Sequence, residues 1–162
     1  LHVISSASRE ETIKWTKKRG ADETVNHRKN LVSEVRNLGY RYVDYILELN
    51  NLDQHWNEMA DLIVPNGKIA SITENKNPID LKKLTKKRAT FAWEWMYSKS
   101  YFETPDEQTQ HDILEHISEM LDAGKITSTA TTVLHPIDAQ HLREAHKMVE
   151  SNHMIGKVVL TN

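Results

Sequence analysis

The chain has 162 residues, enough for one domain or a domain with an appendage, and its 38% hydrophobic and 27% charged content is a soluble globular balance rather than a disordered one. With 21 basic against 23 acidic side chains the formal charge is -2, which excludes a global field that would recruit nucleic acid or an anionic membrane. Cysteine is absent, so disulfides, thiolate nucleophiles and cysteine zinc ligands are excluded within the chain, and the expected setting is a reducing cytoplasm.

In chain order, Leu1 to Ser5 reads as a strand, too short and too bare of flanking charge for a signal peptide. A chain that opens in a strand without methionine leads us to expect a fragment. Ser8 with Glu11 forms an S-x-x-E capping box, and the helix behind it stops at Gly20. A short strand follows at Ala21 to His27, then a helix from Leu31 to Leu38 closed by Gly39. Tyr42 to Leu49 (YVDYILEL) is apolar enough for a buried parallel strand. Asp53 to Ile63 is an amphipathic helix with Trp56, Met59, Ala60 and Ile63 inward. Pro65-Asn66-Gly67 has the composition of a turn before a strand at Lys68 to Thr73. A basic helix from Leu81 to Arg88 leads to an aromatic strand, Thr90 to Tyr97 (TFAWEWMY). The lysine clusters at 17–19 and 82–88 read as solvated helix ends.

Strands alternating with helices predict βαβ units, right-handed crossovers and a parallel sheet, an α/β fold. The rhythm then changes. Asp106 to Ala123 is a long helix with Ile113, Leu114, Ile117 and Leu121 inward, Thr127 to Leu134 is β-prone, Ala139 to Glu150 is helical, and Gly156 to Leu160 is a last strand. No apolar run reaches the roughly 18 residues of a membrane span, so no membrane partner is expected.

Four segments in order resemble the medium-chain dehydrogenase/reductase superfamily: VISSAS, the helix leading to GADETVNH, VDYILEL with LIVPNGKIASI, and AHKMVES with IGKVVL. FAWEWMYSKS with the helix start behind it resembles the zinc-type alcohol dehydrogenase-like proteins of the quinone oxidoreductase branch. The resemblance implies a Rossmann-like sheet of order 3-2-1-4-5-6, of which this chain supplies strands two to six, the first strand and its glycine-rich turn lying upstream. It implies a partial dinucleotide-binding domain over residues 1–126, and a segment of the substrate (GroES-like) domain over 127–162. An NADP(H)-dependent oxidoreductase acting on a quinone, an enone or another carbonyl is implied for the complete protein. The alternative is a non-catalytic nucleotide-binding or structural protein of the same fold. An αβ methyltransferase is disfavoured, because such sites usually want an acid where Arg9 stands.

The candidate cofactor residues follow from that frame. An acid at the end of the second strand would favour NAD; here the strand ends Ser5-Ser6-Ala7-Ser8-Arg9, with no acid before Glu10. Ser8 offers a hydroxyl and Arg9 a forked, permanent charge for a 2′-phosphate, although spacing alone equally makes Ser8 an N-cap and Arg9 a solvated first-turn residue. His27, at the end of the third strand, either meets a phosphate or is a surface histidine. By resemblance, Asn50 falls in the adenine and ribose loop, while Ile72, Thr73, Trp95 and Met96 fall toward the nicotinamide. For Trp93 and Trp95, core or dimer packing is the favoured reading over a contact with the nicotinamide.

No residue is a candidate general acid, base or nucleophile, and the fragment alone is expected to be inactive. No metal is expected, since His111/His116 and His141/His146 are five apart and do not stack on a helix face as i, i+4 does. A homodimer is expected through the sheet edge at residues 90–97. With the first strand upstream, either the chain is a fragment of a larger ordered protein or residues 1–5 and 42–49 pair differently, with each other or across a dimer, because unpaired buried backbone is costly.

Overall fold

The structure is a computed structural model that describes residues 1–162. Its elements are β1 (Ile4–Ser6), α1 (Glu10–Lys18), β2 (Glu23–Val25), α2 (Leu31–Asn37), β3 (Val43–Glu48), α3 (Leu52–Leu62), β4 (Ile63–Ser71), α4 (Lys82–Thr85), β5 (Thr90–Trp93), α5 (Ser98–Tyr101), α6 (Gln108–Asp122), β6 (Ala130–Leu134), α7 (Ala139–Glu150) and β7 (Lys157–Leu160). Every strand pairing is parallel: β1 with β2, β3 with β4 with β5, and β6 with β7. These are the neighbours that the order 3-2-1-4-5-6 assigns to strands two to six, and the α/β, Rossmann-like expectation holds. No helix is long and apolar enough to cross a membrane.

The start of α1 differs from the expected capping box. Arg9, not Ser8, is the N-cap, in extended backbone at φ -115° and ψ 149°. Thr12 supplies the reciprocal contacts: its hydroxyl oxygen accepts from the Arg9 N–H at 3.2 Å, and its O–H donates to the Arg9 carbonyl at 2.8 Å. That local ring starts the helix one residue later, and Glu11 pairs instead with the Arg9 guanidinium at 3.4 Å.

Two apolar clusters organise the first 93 residues. Leu52, Trp56, Met59 and Ala60 of α3 press on Ile63 and Ile69 of β4 and on Leu84. Trp56 also meets Phe91 of β5 edge to face, with ring centroids 5.4 Å apart. A second cluster, Val25, Val32, Val35 and Leu62, takes in Ile4 of β1 and both Val43 and Ile46 of β3. It touches both sheets through side chains, and no ladder joins β1 to β3. Of the expected alternatives, pairing of residues 1–5 with 42–49 within the chain does not occur.

Other corrections concern burial. β3 is covered on the face of Ile46 and Glu48, but Tyr45, Leu47 and Leu49 on its other face are 65%, 63% and 57% exposed. The apolar stripe of α6 is likewise open, Ile113, Leu114, Ile117 and Leu121 all being exposed rather than inward. β5 stops at Trp93, because after the Glu94 N–H bonds to the Ser71 carbonyl at 2.8 Å the chain turns out of the sheet. Trp93 and Trp95 are about half exposed, which removes the core reading for both.

The passage from α3 to β4 has no loop: Leu62 ends the helix and Ile63 begins the strand. The carbonyls freed at such a helix end need donors. Lys87 supplies them, its Nζ lying 2.8 Å from the carbonyl oxygens of Ala60, Asp61 and Ile63. The Lys87 carbonyl in turn accepts from the Asn66 N–H at 2.7 Å. Pro65-Asn66-Gly67, expected as a turn before the strand, is instead a bulge inside it: Val43 faces Ile63 but Tyr45 faces Lys68, two steps on β3 against five on β4. Asn66 has φ 66°, and a Cβ at Gly67 would lie 2.7 Å from the Ile63 side chain and 2.9 Å from the Asp44 carbonyl, so only glycine fits there. Replacing Lys87 with methionine keeps the aliphatic stem and removes the ammonium. The expected loss is about 1–3 kcal/mol, the range for charge-assisted bonds to partly buried carbonyls. Urea denaturation of Lys87→Met beside Lys87→Arg checks this, and a midpoint at the wild-type value for the methionine variant would refute it.

Candidate functional site

Open parallel sheets place their ligand sites beyond the carboxyl ends of the strands, where helix starts and loops supply free donors. Ser8 and Arg9 follow β1, His27 follows β2, Asn50 follows β3, Ile72 and Thr73 follow β4, and Trp95 and Met96 follow β5. All eight candidate residues therefore lie at the carboxyl edge. The structure draws three of them, Asn50, Ile72 and Thr73, onto one further residue, Glu48.

Glu48 is the last residue of β3, 6% exposed, and the sequence reading did not single it out. Its Oε1 accepts the backbone N–H groups of Asn50 at 2.7 Å and Asn51 at 2.5 Å. Its Oε2 accepts the hydroxyls of Ser71, at 2.7 Å, and of Thr73. The Glu48 carbonyl accepts the Ile72 N–H at 3.2 Å. Ser71 is fully buried, and its oxygen also accepts the Thr73 N–H at 3.2 Å. Beside this network, Asp53 in the first turn of α3 accepts the N–H groups of Lys76 at 2.7 Å and Asn77 at 2.9 Å. Those two amides are the largest reason that its carboxyl sits below the usual range.

Burial works to raise the Glu48 pKa, but the bonds from Thr73, Ser71, Asn50 and Asn51 together outweigh it, and the net direction is down. A carboxyl depressed in the folded state adds stability that is complete above its unfolded-chain pKa, and that stability is lost as pH falls through the folded value. In acid titrations followed by circular dichroism, wild type should lose stability more steeply than Glu48→Gln below the ordinary glutamate range. Equal slopes would rule out this linkage.

At the β1–β2 end, the Arg9 guanidinium donates to the His153 carbonyl at 3.1 Å as well as pairing with Glu11. Arg19, stacked 4.1 Å over Trp15, donates to the Thr127 carbonyl at 3.0 Å. Both arginines thus tie α1 to the last 36 residues (127–162) of the chain. Ser8 is half-buried behind the helix start. His27 is half-buried and its pKa is lowered, first by desolvation and then by Arg28 and His55. That direction favours the neutral ring over the cation. Ile72, Trp95 and Met96 are exposed at 55%, 51% and 71%, and the Gln110 amide donates to the Met96 carbonyl at 2.5 Å. No three His, Asp or Glu side chains converge to hold a metal ion, and no cysteine adds a ligand.

A family model described as zinc-binding dehydrogenase matches residues 19–160. The zinc-type alcohol dehydrogenase-like proteins of Staphylococcus aureus (strain MSSA476) and Staphylococcus epidermidis are each 38% identical over 160 residues, 99% of this chain and 48% of theirs. The chain thus spans about half the length of these curated relatives. A crystal structure from Rhizobium etli, of a protein named for zinc-dependent alcohol dehydrogenases, superimposes with a TM-score of 0.92 at 35% identity, over 100% of this chain and 47% of that one. A quinone oxidoreductase of Pseudomonas syringae shares the fold at a TM-score of 0.72 and 17% identity, over 98% of this chain and 49% of that one. With its parallel strands, its candidate residues at their carboxyl edge and a family match over most of its length, the chain belongs to the zinc-binding dehydrogenase family of the medium-chain dehydrogenase/reductase superfamily.

Proposed function

We propose that the chain is the NADP(H)-binding part of an oxidoreductase that transfers hydride to a quinone, an enone or another carbonyl. The observation that carries this reading is the acid-free carboxyl end of β1 in a dehydrogenase-family chain. From Ser5 to Arg9 no carboxylate competes for the ribose or repels a 2′-phosphate. The nicotinamide supplies the hydride when bound; the residues of this chain align and enclose it. Ser8, Arg9 and the first amides of α1 meet the adenosine phosphate, His27 adds a neutral hydrogen bond beside it, and Asn50 lines the ribose. Ile72, Thr73, Trp95 and Met96 border the nicotinamide end.

Residues 127–162 then belong to the substrate domain. Their β6–β7 pair forms a sheet of its own, and the Arg9 and Arg19 contacts to His153 and Thr127 are the seam between the two units. The complete protein should bind NADPH more tightly than NADH, and Arg9→Ala should erode that preference by roughly 1–3 kcal/mol, as for a lost charge-assisted contact. Fluorescence titration of both nucleotides decides it; equal wild-type affinities would sink the NADP assignment.

The same reading includes a homodimer through residues 90–97. β5 is the edge strand of its sheet, and beyond it Trp95 packs against Tyr97 and Tyr101 in an aromatic group open to solvent. Ala92 is exposed on β5, and a lysine there should shift the sedimentation equilibrium toward monomer. A wild type that sediments as a strict monomer at micromolar concentration would count against this interface.

A further inference from the structure

We propose that Glu48 is a positioning residue for the nucleotide: it fixes the distance between the segments that follow β3 and β4, which the functional reading above places against the cofactor. The carboxylate divides its work by oxygen. Oε1 holds only the segment after β3, through the amides of Asn50 and Asn51, and Oε2 holds only the end of β4, through the hydroxyls of Ser71 and Thr73. It enters no ion pair, so these donors alone stabilise the buried charge. An apolar side chain would fill the same space without the desolvation cost, but it would leave both segments without their shared acceptor.

The network also decides what each loop can present. The Thr73 hydroxyl is spent inward on Glu48, and its N–H and carbonyl both meet the Ser71 hydroxyl, so all of its polar groups serve the network. Asn50 gives its N–H to Glu48 and keeps an exposed side-chain amide, while Ile72 carries an exposed apolar side chain between the two tethered residues Ser71 and Thr73. The inference rests on the nucleotide-binding reading, and the following test separates the two.

In the full-length protein, NADPH affinity, nucleotide KM and kcat, and amide exchange are measured for wild type, Glu48→Ala, Glu48→Gln and Thr73→Val. The alanine variant should weaken NADPH on the order of tenfold to a hundredfold, the scale of a displaced positioning group, with KM rising and kcat holding. Faster amide exchange should be confined to residues 49–51 and 72–77. Glutamine should restore affinity to within a few-fold, since its carbonyl can serve the two amides while its NH₂ donates to the two hydroxyls. Thr73→Val, which removes one donor from Oε2, should weaken NADPH less than alanine does, and it decides the matter alone if Glu48→Ala does not fold. Loosened loops with unchanged NADPH affinity, or exchange that rises across the whole chain, would overturn the positioning role. A wild type that binds neither NADPH nor NADH would overturn the nucleotide reading itself, and this proposal with it.

Discussion

A carboxylate taken out of water without a cation survives only where several donors converge on it, and that constraint shapes the centre of this chain. Glu48 ends β3 and Asn51 caps α3, so the amides that satisfy it come from the short link between strand and helix. Asp53, one turn on, captures two more amides from the segment after β4. At the far end of α3 the charge is reversed, with the Lys87 ammonium gathering three carbonyls. The helix is therefore held by anions at its amino end and a cation at its carboxyl end, the arrangement its dipole favours. Between them, Leu52, Trp56, Met59 and Ala60 press on β4, so the helix is fixed along its axis by charge and across it by packing.

Much of this architecture is legible in the sequence where it depends on local signals. Asp138 caps α7 from the residue before Ala139, and periodicity alone bounds that helix. The parallel order could be inferred because helices separate the strands, and the carboxyl-edge candidates follow from strand ends. Glu48 was not legible, because its partners Ser71 and Thr73 are 23 and 25 residues away and either of the two acids in YVDYILEL reads as a polar position in an apolar strand. A signal was present all the same: Glu48 is two residues from Ile46, and the alternation of a strand puts both on the covered face. The bulge at Pro65 to Gly67 was read as a turn because turns and bulges draw on the same residues, and only the Lys87 contacts distinguish them. The Ser8 box failed for a similar reason, since Thr12 competes for the same helix start from a position equally well spaced for Arg9.

Under the proposed function, the strand ends of this chain need few reactive groups of their own. When a cofactor brings the reducing equivalent, the protein contributes orientation, and orientation comes from backbone held in place rather than from strong acids or bases. The ties from Arg9 and Arg19 to the carbonyls of His153 and Thr127 fit that division of labour. Each donates to main-chain oxygen, a contact indifferent to which side chains the last 36 residues (127–162) carry.

The direct passage from Leu62 to Ile63 also bears on how a chain of this kind can change its length. A surface loop absorbs added or lost residues because its backbone is free to rearrange. Here a single added residue would turn the α3 face by about 100° or flip every β4 side chain to the opposite face. It would also carry the carbonyls of Ala60, Asp61 and Ile63 off the Lys87 ammonium. A stretch such as residues 102–107, mostly exposed and outside both apolar clusters, can take up added or lost residues without such a penalty.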